Sequence, residues 1–291
     1  MAIANFVPEI WSAALLEALR SQLVYAQGGV INRDYEGEIA RAGDTVHIVN
    51  FDDPAVRTYT KNPGSGITWD VLTDHDQTLV VNQSDYFAFS VDDIDRRQAL
   101  SGFVESATRG AAYGLASKTD TYLSGLMASA VPAGNQLGAT PIVSTAPEKA
   151  YDMLVNLRTK LTRSNVPESG RFVVVPPELY AVLLHDDRFI RADASGTTAG
   201  LRNGQVGRAA GFDVFESNTV PEDTSGADPV YTVLAGHAMA TTFAEQITST
   251  EAIRLQTSFA DGVRGLHLYG GKVIRPTALA SAAVTVDASG A

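Results

Sequence analysis

The chain has 291 residues, and its 22 Lys and Arg against 33 Asp and Glu give a net charge of −11 at pH 7. Hydrophobic residues make up 45% of the chain and charged residues 19%, which excludes a sequence too polar to bury a core. The acidic excess argues against nucleic-acid binding as the main activity, and the lack of cysteine excludes disulfides, iron–sulfur clusters and a cysteine nucleophile.

The first segment is amphipathic and carries large aromatic side chains. Apolar residues recur at helical spacing over 10–23, and Gly28–Gly29 ends the pattern. The segment lacks the basic start of a signal peptide, and no stretch is apolar enough for a membrane span, so no membrane partner is expected. A surface helix on its own core is one interpretation. The aromatic residues Phe6, Trp11 and Tyr25 favour the other, an arm that docks on another subunit.

The next elements are strands on either side of a long polar stretch. Residues 44–50 alternate in polarity and predict a strand, and residues 77–91 predict one or two more. Together they predict a two-stranded projection with a flexible tip. Because an isolated hairpin is marginal in water, the projection either packs back on the domain or lies across a partner. The contact candidates in the projection are Arg57, Tyr59, Lys61 and Trp69.

A long helix follows the strands. From Asp92 onward the apolar period changes to three and four, which predicts one helix over 94–127. Such a helix would be about 50 Å long, typical of a strut. Arg96, Arg97 and Arg109 lie on it, and they fit either an ordinary exposed face or a contact with an acidic partner.

The remaining sequence alternates short elements with loops. Residues 131–145 and the Gly-, Ala- and Ser-rich stretch 191–211 are predicted as loops, and the tail from 278 onward is expected to fray. Helices and strands are segregated along the chain, which predicts an α+β fold. The expected elements are a helix from about 145 ending before Pro167, a buried strand at 172–175, a brief helix at 177–184, and short strands near 212–216, 230–235, 251–256 and 264–274.

No catalytic or cofactor motif is complete. The glycines before Lys272 lack the spacing of a phosphate-binding loop, and those at 204–211 lack the spacing of a dinucleotide turn. His185-Asp186-Asp187 is the most ligand-like cluster, but it follows a helix end, where a solvated turn is the ordinary interpretation. No catalytic residue, metal site or cofactor is therefore expected, and the chain is not expected to be an enzyme.

Short blocks in order along almost the whole chain resemble the major capsid (coat) proteins of tailed bacteriophages. No single block is diagnostic, but together they are fairly specific to this family. The blocks are FVPEIWS at 6–12, NRDYEGEI at 32–39, GDTV at 43–46, FVVVPP at 172–177, HDDRF at 185–189, NGQVG at 203–207, AGF at 210–212, GH at 236–237, FAEQ at 243–246 and GLHLYG at 265–270.

The resemblance implies the α+β major capsid fold, with an extended β-hairpin loop and a long spine helix. It also implies that the loop at 190–208, which contains Arg202, lies near a capsomer axis or a neighbouring subunit. The implied regions are an N-terminal arm (1–35), the extended loop (36–92), a peripheral domain with the spine helix (93–139), an axial domain (140–240), and return strands of the peripheral domain with the tail (241–291).

The implied function is structural. Copies would form hexamers and pentamers through head-to-tail contacts and close into an icosahedral shell around double-stranded DNA, assembled in the host cytoplasm. The acidic charge would keep the shell from binding its DNA cargo tightly. Besides other copies of itself, the chain would have a portal protein as a partner. A separate scaffolding protein is also expected, because the sequence begins almost at the arm. Whether a decoration protein binds is left open.

Alternative functions follow from the same sequence. An encapsulin-like shell that encloses cargo enzymes would share the fold. An enzyme of unrecognised type would need a nucleophile–base pair that the sequence does not offer. A surface-layer lattice protein would need a secretion signal. Lys61 is the only lysine in the extended loop, and without a matching acceptor environment covalent cross-linking through it is not expected.

Overall fold

The computed structural model describes residues 23–34, 45–51, 55–59, 61, 69–70, 74–92, 103–143, 146, 148–186, 207–226, 228–255 and 260–287. The helix expected in the first segment and the contact candidates Phe6, Trp11, Arg96, Arg97 and Arg202 lie outside these residues. The described part confirms a mixed fold of helices and sheets.

Helices and strands follow one another along the described chain. The helices are α1 (Phe103–Ala130), α2 (Glu148–Arg163) and α3 (Pro177–Leu184). The strands are β1 (Thr45–Phe51), β2 (Asp74–Val80), β3 (Gln83–Asp92), β4 (Gln136–Val143), β5 (Arg171–Val175), β6 (Arg208–Ala209), β7 (Phe212–Glu216), β8 (Glu222–Asp223), β9 (Val230–His237), β10 (Thr241–Arg254), β11 (Ala260–Val273) and β12 (Leu279–Asp287).

The largest sheet of the described residues has seven strands, in the order β4-β12-β9-β5-β7-β6, with β8 paired to β9. β5 lies inside it, antiparallel to β9 and parallel to β7. Every residue of β5 is buried, as predicted for its apolar run 172–175, and Arg171 at its start is buried as well. α2 covers β4 and β12, and its buried stripe of Met153, Leu154, Leu157 and Leu161 has the spacing of one helix face.

The seven-stranded sheet contains four segments that the sequence did not predict as strands. Two are the two-residue strands β6, which lies in the expected loop 191–211, and β8. The expected loop at 131–145 contains β4, and the tail expected to fray contains β12, which pairs with both β4 and β9. Leu279, Ala280, Ala282 and Val284 of β12 are fully buried. Alanine and serine have weak β propensity, but an interior position between two strands overrides it. The implied return region 241–291 is therefore divided between two sheets.

A three-stranded sheet, in the order β10-β11-β3, packs against α1. α1 confirms the long helix from Phe103 onward and ends at Ala130. β10 and β11 are longer than the short strands expected near 251–256 and 264–274, because they form one antiparallel ladder with a bulge between Ile247 and Ser249. The large core cluster includes buried residues of α1 and of the seven-stranded sheet, so one core supports both layers.

β1 and β2 form the expected two-stranded hairpin, with Thr45 opposite Val80 and Phe51 opposite Asp74. The hairpin base packs on the three-stranded sheet through a small buried cluster of Leu79, Val81, Ala244 and Leu268. Gly270 permits this approach, because a Cβ on it would lie 2.5 Å from the carbonyl oxygen of Val80. The strand or strands expected over 77–91 are two, β2 and β3.

Candidate functional site

The tip of the β1–β2 hairpin exposes large apolar side chains. Val56 is 101% exposed, Trp69 85% and Tyr59 69%. Lys61 is also exposed. The structure thus places the predicted candidates of the tip on the surface, and it adds Val56, which sequence reasoning missed. Exposed apolar groups concentrated on one projection are typical of a surface that a partner covers.

An ion pair joins the two sides of the hairpin tip. Arg57 Nη2 donates to Asp70 Oδ1 at 2.6 Å, and the Ala55 N–H donates to Asp70 Oδ2 at 3.1 Å. The hydrogen bond from Arg57 is the largest cause that lowers the pKa of the Asp70 carboxyl. Water screens this exposed pair, so it contributes little to the stability of the fold. Arg57, predicted as a contact residue, is therefore already engaged within its own chain.

The segment 23–34, called the root segment below, packs on the body through buried groups. Tyr25, predicted as a subunit-contact candidate, is fully buried within its own subunit. Its ring fills the subunit's own core, and burial raises the pKa of its hydroxyl. Nothing in the sequence around Tyr25, which stands three positions before the glycine pair, distinguishes a core side chain from one that contacts another subunit.

Asp120 of α1 holds the start of the root segment. Its Oδ2 accepts the Val24 N–H at 2.8 Å and its Oδ1 accepts the Tyr25 N–H at 3.1 Å, and the Ala26 N–H is a further donor. Burial raises the pKa of Asp120 to about 6; the three N–H groups oppose this rise, and the nearby charge of Glu245 adds to it. Among the described residues, no Lys, Arg or His side chain pairs with Asp120.

Glu245 of β10 holds the end of the root segment. Its two oxygens contact Arg33 of the segment and, at 3.2 Å, His267 Nε2 of β11. Burial alone would raise the pKa of Glu245, but the bonds and charges of His267 and Arg33 outweigh it and lower the pKa. Arg33 also donates to the Ala26 carbonyl at 2.9 Å and lies over the Phe243 ring, 5.6 Å from its centroid.

Backbone pairing and a second polar group complete this region. Asn32 forms a bridge with β10, donating to the Thr241 carbonyl and accepting from the Phe243 N–H, both at 3.0 Å. Asp85 of β3 contacts Lys118 of α1 and accepts the Tyr269 hydroxyl at 2.7 Å. The root segment, α1 and the three-stranded sheet are thus joined by charged groups as well as by packing.

Within the described ranges, no group of three or more His, Cys, Asp or Glu side chains could hold a metal ion. None of the helices in that part of the chain is long and apolar enough to span a bilayer. His185 is exposed at the end of α3, as a solvated turn requires, but Asp186 is buried, which corrects that interpretation for its side chain.

Comparison with known proteins gives one consistent result. A family model described as phage capsid protein matches residues 76–282. A solved structure from Mycobacterium phage Che8 is 35% identical, covers 100% of both chains and superimposes with a TM-score of 0.70. A search of curated proteins found no match.

Two more distant structures show the fold alone. The capsid structure of Cyanophage P-SCSP1u is 14% identical, covers 91% of this chain and 88% of that chain, and has a TM-score of 0.68. An encapsulin complex from Synechococcus elongatus is 13% identical, covers 73% of this chain and 77% of that chain, and has a TM-score of 0.52.

Proposed function

Since the chain belongs to the phage capsid protein family, we propose that its copies form hexamers and pentamers that close into an icosahedral shell around double-stranded DNA. It is a major capsid protein of the tailed-phage fold and a structural component of the virion capsid, and it self-associates to form the shell. The encapsulin alternative is less favoured, because its similarity is confined to the fold at 13% identity.

The exposure of side chains at the hairpin tip is the observation from which individual contact residues are proposed. Val56, Tyr59 and Trp69 are exposed on the subunit, and covering one such side chain with a neighbour gains roughly 1.5–3 kcal/mol. We infer that these residues, with Lys61, contact an adjacent copy. Each contact is modest, but a subunit that makes several such contacts is held strongly by multivalency.

The two sheets divide the chain differently from the implied regions at β3, β4 and β12. We propose that α1 and the three-stranded sheet form the peripheral domain, and that the seven-stranded sheet forms the axial domain and includes β12. The 1–35 arm, which carries Phe6 and Trp11, and the 36–92 loop reach neighbouring copies in this proposal. Arg96, Arg97 and Arg202 remain proposed contact residues.

Further partners and the place of assembly are also proposals. A separate scaffolding protein and a portal protein would direct closure of the shell in the host cytoplasm, and a decoration protein would bind its outside where one exists. Double-stranded DNA would be a non-specific cargo. The net charge of −11 supports this, because an acidic shell repels phosphate and leaves the DNA free to pack and leave.

The first experiment asks whether shells form and whether the hairpin tip is required. Because Phe51 and Asp74 are directly opposite, residues 52–73 can be replaced by Asn-Gly, which closes a two-residue hairpin turn in register. The unmodified chain should give shells, rings or tubes in sedimentation velocity and negative-stain electron microscopy, alone or with a scaffolding protein. The shortened chain should stay folded and fail to assemble.

The outcomes separate the two parts of the proposal. Normal shells from the shortened chain would remove the tip from assembly while keeping the capsid function. A compact unmodified chain that never assembles, at any concentration or salt and with any scaffold, would contradict the capsid function itself. Circular dichroism of both proteins controls for loss of folding.

A further inference from the structure

We propose that the root segment is a detachable clamp, seated on two buried carboxylates, and that its seating is coupled to proton binding. The segment joins the 1–22 region to the chain that leads into the β1–β2 hairpin, so it lies between the two parts proposed to reach neighbouring copies. The inference rests on the proposed function only in linking the clamp to assembly; the coupling itself is a property of the subunit.

The two carboxylates are satisfied in different ways. Asp120 faces backbone N–H groups of the root segment and has no cationic partner among the described residues. Glu245 faces two cationic or titratable partners, Arg33 on the segment and His267 on the body. When the segment leaves, Asp120 loses its donors and gains water, whereas Glu245 loses one partner and keeps the other.

Other charged and titratable groups border the clamp and set its electrostatics. The side chains are Tyr25 and Arg33 on the root segment, Glu245 on β10, His267 and Tyr269 on β11, Asp85 on β3 and Lys118 on α1. Asp85 and Lys118 neutralise each other. Burial would raise the pKa of Asp85, but Lys118 and Tyr269 outweigh it and lower the pKa.

Lowering the pH strengthens the seating of the root segment through Asp120 and weakens it through Glu245. Asp120 has a raised pKa, about 6, when the segment is seated, and an ordinary one, about 4, when water reaches it. Seating therefore binds a proton and strengthens as the pH falls from 7 toward 5. Glu245 has a lowered pKa when paired, so its contribution is present above about pH 4.3 and is lost below it. Because the Asp120 contribution keeps growing below pH 5, the clamp should be tightest near pH 4, where the loss at Glu245 begins to outweigh it.

Hydrogen exchange of the unassembled full-length subunit tests this coupling. After correction for the intrinsic pH dependence of exchange, protection of the Val24, Tyr25 and Ala26 amides should rise about tenfold from pH 7.5 to pH 5. It should fall again only below about pH 4, where the loss at Glu245 outweighs the gain at Asp120. Peptides of α2, on the opposite layer, should show neither change.

Two variants test the contribution of each carboxylate to the pH dependence, and a third variant is the control. Asp120→Asn should lower the protection of the root segment and remove its rise between pH 7.5 and 5. Asp228→Asn, at an exposed loop position, should leave the rise intact. Glu245→Gln should remove the loss below about pH 4. It should also make the rise between pH 7.5 and 5 smaller, because the Glu245 charge adds to the raised pKa of Asp120.

A wild-type chain whose root segment shows no rise between pH 7.5 and 5 overturns the inference, even if Asp120→Asn does not fold. An equal rise in Asp120→Asn overturns it as well. Neither result bears on whether shells form, which sedimentation and microscopy decide separately.

Discussion

The seven-stranded sheet and the β1–β2 hairpin place similar side chains in opposite surroundings. Phe172 and the valines after it in β5 are fully buried, whereas Val56, Tyr59 and Trp69 at the hairpin tip are exposed. The sheet is therefore stabilised within one subunit, whereas the tip is proposed to be covered by a neighbouring copy. Substitutions in the sheet should change the free energy of unfolding, and substitutions in the tip should change assembly.

The largest effect is expected in the centre of the large sheet. Phe172→Ala should lower the free energy of unfolding by about 3–5 kcal/mol, because it leaves a cavity in the large core cluster, on the face of the sheet beside Gly236. Denaturant unfolding of the unassembled subunit measures it. Val155→Ala, on the outer face of α2, is the matched control and should stay within about 0.5 kcal/mol. A loss below about 1 kcal/mol for Phe172→Ala would mean that this sheet is not a rigid core.

A smaller loss is expected where the hairpin meets the body. Gly270→Ala places a Cβ against the backbone at Val80 and Val81, which cannot rotate away, and overpacking of this kind costs about 1–3 kcal/mol. Hydrogen exchange of β2 should become faster, whereas that of β5 should not change. Equal changes in both strands would show that the hairpin base and the large sheet unfold together.

Strong local patterns made some elements predictable, and their absence hid others. The buried strand β5 and the short helix α3 follow from apolar runs and from Pro177, and most of α1 follows from its three–four period. β12 has no such pattern, because alanine and serine fit a strand only when both neighbouring strands are already present.

The candidate site was less accessible to sequence reasoning than the fold. Exposed residues in a long polar projection could be predicted from composition, and Tyr59, Lys61 and Trp69 are exposed as expected. The contact between Arg33 and Glu245 joins residues 212 positions apart, so no spacing rule could find it. Glu245 and His267 lay in blocks shared with capsid proteins, but similarity assigned them no partner.

A gain in stability is expected on the exposed face of α1. Gly114→Ala should raise the free energy of unfolding by about 0.5–1 kcal/mol, because alanine loses less backbone entropy in a helix and its Cβ meets no atom within 4 Å. Thermal unfolding of the unassembled subunit measures it. The same substitution thus has opposite signs at Gly114 and Gly270. A loss at Gly114 would show that this face is packed within the subunit.

The smallest effect on the subunit is expected at the hairpin tip, where the effect on assembly should be large. Trp69→Ser should leave the free energy of unfolding within about 0.5 kcal/mol, since the side chain is 85% exposed. It should raise the critical concentration for assembly about 10- to 100-fold, which corresponds to the roughly 1.5–3 kcal/mol gained by burying a large apolar side chain. Trp69→Phe keeps an apolar ring and should assemble close to normally.

Light scattering against protein concentration measures this difference for each variant. Tryptophan fluorescence gives an independent readout of assembly. Trp11 and Trp69 are the two tryptophans of the sequence, and the emission of Trp69 should change because its side chain loses contact with water on assembly. If Trp69→Ser changes neither assembly nor stability, no neighbour covers this side chain. Val56 and Tyr59 would then be the remaining tip residues proposed to contact a neighbour.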